Sequence, residues 1–188
     1  VNGEQFHKAV KFEAALKEFL EALGEDPARN GLKMTPVRVR RMLEEVTAGY
    51  RTDPKEVLVT FNDPCDEMAL VNGIGFSSTC EHHLMPFHGR VTVGYVPDGR
   101  IVGLSKVPRL VEVLSRRLQV QERLTREIAE ELQTALTPKG VGVVITAAHT
   151  CMTCRGVRSS GEMITSHLTG VFRTDDKARA EFLSLARG

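Results

Sequence analysis

The feature that most constrains this chain is a change of hydrophobic period at its middle. Val91, Val93 and Tyr95 alternate with Thr92, Gly94 and Val96, and Pro97-Asp98-Gly99 then turns the chain into residues 101–104. A period of two demands a half-buried strand, and the turn predicts a hairpin whose strands run antiparallel. On either side the period becomes helical. Leu16, Phe19, Leu20 and Leu23 form one apolar face, ending at Gly24; Val39, Met42, Leu43 and Val46 form a second, opened by Thr35-Pro36. After the hairpin come Val107, Leu110, Val111 and Leu114, and then Leu124, Ile128, Leu132, Ala135 and Leu136. Val141, Val143 and Ile145 alternate again before His149, residues 163–172 read as a last strand, and a terminal helix spans about 175–186. The order predicts an α+β fold, an antiparallel sheet with helices packed on one face.

Hydrophobic residues make up 41% of the 188, enough for a packed core. The 25 Lys+Arg balance 24 Asp+Glu, which excludes a broad basic surface for nucleic acid. No apolar run reaches the roughly 20 residues that a membrane span needs, and residues 1–11 show no signal-peptide core, so a cytoplasmic protein with no membrane partner is expected. Without repeats or linkers, residues 1–188 are expected to form one domain.

Cys65, Cys80, Cys151 and Cys154 are too sparse for a disulfide framework, which points to metal or catalysis. Reactive side chains concentrate in Cys80-Glu81-His82-His83 and in His149-Thr150-Cys151-Met152-Thr153-Cys154, both at ends of predicted strands. Cys80 and His83 have the spacing of two ligands on one turn, and Cys151 would complete a Cys2His set for zinc with one position open. Cys154 offers a fourth ligand at C-x-x-C spacing, so spacing alone fits a closed structural site equally well. His82 and His149 tip the balance, because a structural site has no need of two extra imidazoles that titrate near neutral pH. Lys106 and Arg109 share a helix face suited to clamping an anion, and Arg155 brings a further cation beside Cys154. Glu122, at a helix start, is either a charge complementing the helix dipole or a double acceptor for adjacent N–H donors such as a guanine edge.

Ser78-Thr79-Cys80-Glu81-His82-His83, Gly103-Leu104-Ser105-Lys106, Gln119-Val120-Gln121-Glu122-Arg123-Leu124-Thr125 and His149-Thr150-Cys151-Met152, with Arg155-Gly156-Val157, closely resemble the GTP cyclohydrolase I family. The likeness runs from about Gly31, through Met34-Thr35-Pro36-Val37-Arg38, to Glu181-Phe182-Leu183. It implies the tunnelling fold, with sheets joined edge to edge into rings and two pentamers stacked as a homodecamer whose active sites lie between subunits. It divides the chain into N-terminal helices at about 3–48 and a catalytic part at about 60–188. The resemblance places one zinc ion per subunit on Cys80, His83 and Cys151, while Cys154 falls where the family has no ligand. It implies hydrolysis and rearrangement of GTP to 7,8-dihydroneopterin triphosphate with release of formate, the first step of pterin and folate biosynthesis. His149 would be the acid at N7, His82 would assist proton transfer near the ribose, and Ser105 would help the ribose steps. Glu122 would anchor the guanine edge and Gln121 would also bind the substrate; Lys106, Arg109, Arg155 and Arg38 would hold the triphosphate. Two other readings remain open at this point. One is a reductase or aldolase of the same fold; the other is a zinc-stabilised nucleotide-binding protein with Cys154 closing the metal shell.

Overall fold

A computed structural model describes residues 3–187, which divide between Val46 and Thr47 into two compact units. The first contains α1 (Gly3–Ala22) and α2 (Thr35–Val46). Gly24, at φ +84°, caps α1 where the sequence places its end, as its N–H donates to Glu21 O and that of Glu25 to Leu20 O. The two helices are joined by Arg40 of α2, which donates to Glu13 of α1 at 2.6 Å and to Glu44 at 2.7 Å.

The second unit is built on a five-stranded sheet. Its strands are β2 (Ala69–Cys80), β3 (Pro86–Val96), β5 (Leu118–Gln119), β6 (Gly140–His149) and β7 (Glu162–Leu168), in the order β5-β2-β3-β6-β7. Three neighbour pairs are antiparallel, but β5 runs parallel to β2, so the sheet is mixed. Two short strands, β1 (Thr60–Asn62), which follows the one-turn helix α3 (Pro54–Val57), and β4 (Arg100–Val102), pair separately. The hairpin expected between β3 and residues 101–104 therefore does not form. Both edges of β3 are occupied, by β2 and β6, and β4 takes β1 instead.

One sheet face carries Val91, Val93 and Tyr95 of β3 and Val141, Val143, Ile145 and Ala147 of β6, all buried. Against it lie α4 (Lys106–Ser115), through Val107, Leu110, Val111 and Leu114, and α5 (Gln121–Leu136), through Leu124, Ile128, Leu132 and Leu136. These are the predicted apolar stripes, and each fully buried aliphatic side chain contributes roughly 1.5–3 kcal/mol. The opposite face is not bare, as a one-sided packing would require. The short α7 (Val171–Thr174) leads into α8 (Asp176–Arg187), whose Phe182 sits over the facing pair Gly94 and Gly142, which alternate with the core-facing residues. Two glycines leave room for the ring. The last strand also ends earlier than its apolar pattern suggests, because Gly170, at φ +49°, turns the chain where a Cβ would lie 1.9 Å from Lys139 O.

Candidate metal centre and active site

One end of the sheet gathers the reactive segments, because β2 and β6 end there and β3 and β5 border them. Cys80 closes β2 opposite Gln119 of β5, and its N–H donates to Met85 O at 2.8 Å. The Leu84 N–H returns to Cys80 O at 2.9 Å, with Leu84 in the left-handed region at φ +53°. A non-glycine residue costs about 1–2 kcal/mol there, which marks a turn held by its surroundings. This tight loop puts His83 Nδ1 3.8 Å and His82 Nδ1 3.9 Å from Cys80 Sγ. It is also tied sideways: the Glu81 N–H donates to Gln119 O, and the Glu81 carboxylate pairs with Arg123 of α5. The Arg123 guanidinium holds the Glu81 carboxyl below its ordinary range.

Beyond β6, the turn α6 (Thr150–Thr153) is fastened by the Thr150 hydroxyl, which donates to Pro86 O at 2.5 Å at the start of β3. That brings Cys151 to the Cys80 loop, and single donor atoms of Cys80, His83 and Cys151 all lie within 4.8 Å of one another. Ligands around a tetrahedral ion with bonds of about 2.0–2.3 Å stand roughly 3.3–3.8 Å apart, so a small closure of the group would seat a metal. Cys80 is buried and Cys151 half-buried; burial, then the neighbouring Cys80, pushes the Cys151 thiol up. Such thiols bind metal with loss of their protons. Cys154 is exposed and stands outside this group, its thiol donating to Thr150 O at 2.8 Å. Among the described residues, the three-donor set is the one group suited to a metal ion.

His149, the last residue of β6, lies opposite Phe87 of β3, and the rings stack at 4.6 Å between centroids, 4° from parallel. Its Nε2 meets Gln121 Oε1 at 2.8 Å. Burial lowers the His149 pKa, opposed by the nearby Glu122 carboxylate. Glu122 is exposed in the first turn of α5. Gln121, a candidate substrate-binding residue in the sequence, is 1% exposed and has both ends of its amide engaged by protein groups. Its place in the sequence held the signal, since 121, 124, 125 and 128 fall on one helical face. Neither the Phe87 stack nor the Arg123 tie is apparent in the sequence, because both depend on strand register and on which strand borders which.

The remaining candidates are spread more widely. Arg155 is beside the metal group, its guanidinium donating to Cys151 O at 3.4 Å. Ser105, Lys106 and Arg109 open α4, just after Val102, whose N–H donates to Tyr95 OH. Tyr95 faces Ala69, at the end of the sheet away from Cys80. Ten residues of helix, about 15 Å, return from there toward β5. One chain therefore does not bring these three residues to its own Cys-His-Cys group. Ser105 makes no side-chain capping bond and is exposed. Arg38 belongs to α2 of the first unit.

Comparison with known proteins places the chain in a family. The family model for GTP cyclohydrolase I matches residues 12–187. The chain is 54% identical over 178 residues to a GTP cyclohydrolase 1 of Caldanaerobacter subterraneus subsp. tengcongensis, covering 93% of this chain and 95% of that protein. Proteins of the same name from Chlorobaculum tepidum and Campylobacter lari are each 51% identical, over 91% and 93% of this chain and 78% and 94% of their own lengths. With nearly the whole second unit matched and the Cys80, His83 and Cys151 donors converging within it, the chain belongs to the GTP cyclohydrolase I family.

Proposed function

We propose that this chain is a zinc-dependent GTP cyclohydrolase that converts GTP to 7,8-dihydroneopterin triphosphate and formate, opening a pterin or folate pathway. The observation that carries the reading is the convergence of Cys80, His83 and Cys151 beside the half-buried His149, with the Cys154 thiol directed to Thr150 O instead. A set of two thiolates and one imidazole suits zinc and leaves a coordination position open. Bound there, zinc would supply Lewis acidity and a water acidic enough to act as a nucleophile near neutral pH.

The protein's own groups divide the remaining tasks. His149 delivers the proton to N7 while C8 is attacked, and its partly buried ring keeps that proton transfer away from bulk water. Glu122 accepts from two N–H donors on the guanine edge; adenine presents a different pattern there. Arg155 stands on the metal side for the triphosphate, while Lys106, Arg109 and Ser105, at the far end of α4, serve the metal group of a neighbouring subunit. His82, exposed on the ligand loop, attends the ribose, and Arg38 adds a cation from α2. Composite sites require assembly. The outer edge of β7 is open to pairing, which supports rings of sheets and a homodecamer of two pentamers. No described helix is long and apolar enough to cross a membrane, which accords with a cytoplasmic enzyme.

The test is formate release from GTP with zinc counted in the same samples. The wild type and Cys154→Ser are expected to carry equal zinc and to release formate, and His149→Ala to carry zinc and release none. A zinc-loaded wild type that releases no formate would overturn the assignment. Activity appearing only in Cys154→Ser would mean that Cys154 closes the metal shell.

A further inference from the structure

Gln121 is the first residue of α5, buried beneath the ends of β6 and β7, and its amide makes four contacts. Nε2 lies 3.1 Å from Ile145 O, 3.0 Å from Met163 O and 3.1 Å from Thr165 Oγ1. Oε1 lies 2.8 Å from His149 Nε2. Two of the three Nε2 partners are backbone carbonyls, which only accept. Turning the amide over would set its oxygen against both, so its orientation is forced by the sheet.

The hydroxyls confirm the direction. Thr125 Oγ1 donates to Gln121 O at 2.6 Å, so the 2.6 Å contact between Thr125 and Thr165 is donated by Thr165. Thr165 Oγ1 is thereby left to accept from Gln121 Nε2. The bonds form a closed, directional ring through α5 and β7, and the one amide atom facing His149 is an acceptor. His149 Nε2 must then carry a hydrogen.

We infer that Gln121 is a positioning residue that fixes His149 as its Nε2–H tautomer, leaving Nδ1 as the nitrogen that exchanges a proton with the substrate. Its functional meaning rests on the proposed role of His149 as the acid. In that step the Nδ1–H bond of the imidazolium breaks, N7 of the substrate gains the proton, and the ring returns to the neutral Nε2–H form held by Gln121. The stack on Phe87 fixes the ring plane, and the amide fixes the rotation within it. Gln121 reaches the substrate only through His149.

The experiment is solid-state NMR of the whole zinc-loaded protein labelled with 15N-histidine, well above the ordinary histidine pKa of about 6.5 so that the rings are neutral. His149→Asn assigns the signal by difference among the six histidines. The expected wild-type result is a protonated Nε2 and a bare Nδ1; a ring protonated at Nδ1 overturns the inference without need of any variant. Gln121→Leu is expected to release the bias, giving a mixture of tautomers. It should also lower kcat for formate release by about 10- to 100-fold, with zinc content unchanged and KM within about twofold. A raised KM with the wild-type tautomer retained would mean that the amide binds GTP directly, and would also overturn it. The NMR readout is independent of turnover: an Nε2–H ring in a wild type that makes no formate supports the positioning while removing the catalytic reading.

Discussion

Replacing Gly142 by Ala should destabilise the fold through a single contact, and a second substitution can prove which one. A Cβ at Gly142 would lie 2.8 Å from two ring atoms of Phe182 and 3.1 Å from a third. Carbon atoms in good contact stand about 3.5–4.0 Å apart, so the ring must retreat by roughly 0.7–1.2 Å. Retreat is resisted on two sides. Gly94, across the β3–β6 ladder, faces the other edge of the same ring, and Phe172 packs against it at 5.1 Å. Overpacking of this kind costs about 1–3 kcal/mol, and Phe182→Ala, which empties a fully buried site, about 3–5 kcal/mol. With the ring gone, the Gly142→Ala methyl has nothing to strike. The double variant should therefore be no less stable than Phe182→Ala alone, a coupling of about 1–3 kcal/mol. Urea unfolding at one fixed protein concentration measures this, the concentration being held so that any association contributes equally to each variant. Costs that add to within about 0.5 kcal/mol would refute the reasoning, since independent sites behave that way.

Three further outcomes follow from other contacts. Gly170→Ala places a Cβ 1.9 Å from Lys139 O at a positive φ, and should lower the melting temperature by about 4–8 °C for a loss of about 2 kcal/mol, read by thermal unfolding. The Glu81 carboxyl is held below its free value of 4.5 by Arg123, so the pair's contribution is present above that value and fades as the pH falls through the lower folded pKa. The stability gap between wild type and Glu81→Gln should accordingly narrow below about pH 4.5 in denaturant titrations, and a gap independent of pH would refute the pairing. Glu122→Gln exchanges one acceptor for a donor and should weaken GTP binding by about tenfold or more in calorimetry with the variant kept zinc-loaded; unchanged affinity would remove Glu122 from the site.

What the sequence made legible and what it hid differ in physical kind. The stripes of α4 and α5 were legible because burial of Leu110, Leu114, Leu124 and Ile128 against the sheet is a local consequence of helical period. The approach of Cys80 and His83 was legible because they share one short turn, whose geometry depends on few other residues. The fate of residues 101–104 was not, although Pro97-Asp98-Gly99 does turn the chain. A turn fixes where a strand ends, whereas its partner depends on which edges remain free, and β6 claims the edge of β3 that the hairpin would have used. The cover of the second face was hidden for a related reason. Gly94 and Gly142 interrupt an apolar alternation and read locally as weak strand positions; only their pairing across the ladder shows a seat for Phe182.

The same distinction separates Gln121 from its neighbour Glu122. Within Gln119-Val120-Gln121-Glu122, two neighbouring polar side chains at a helix start look equivalent, but they are about 100° apart around the helix, and one therefore turns inward where the other turns out. Glu122 stays exposed near His149, while Gln121 is buried under β6 and β7 and meets the same ring from the protein side. A buried amide is tolerated because every polar atom of it is paired, and that full pairing gives it a fixed direction. For Gln121 to swing out toward a ligand, the Ile145 and Met163 carbonyls would need another donor, a cost paid at each such event. Left in place, the amide avoids that cost and holds the His149 ring that stacks on Phe87. The end of the sheet thus carries an imidazole whose orientation is set by strand register and one buried amide, beside a Cys-His-Cys group brought together by two turns.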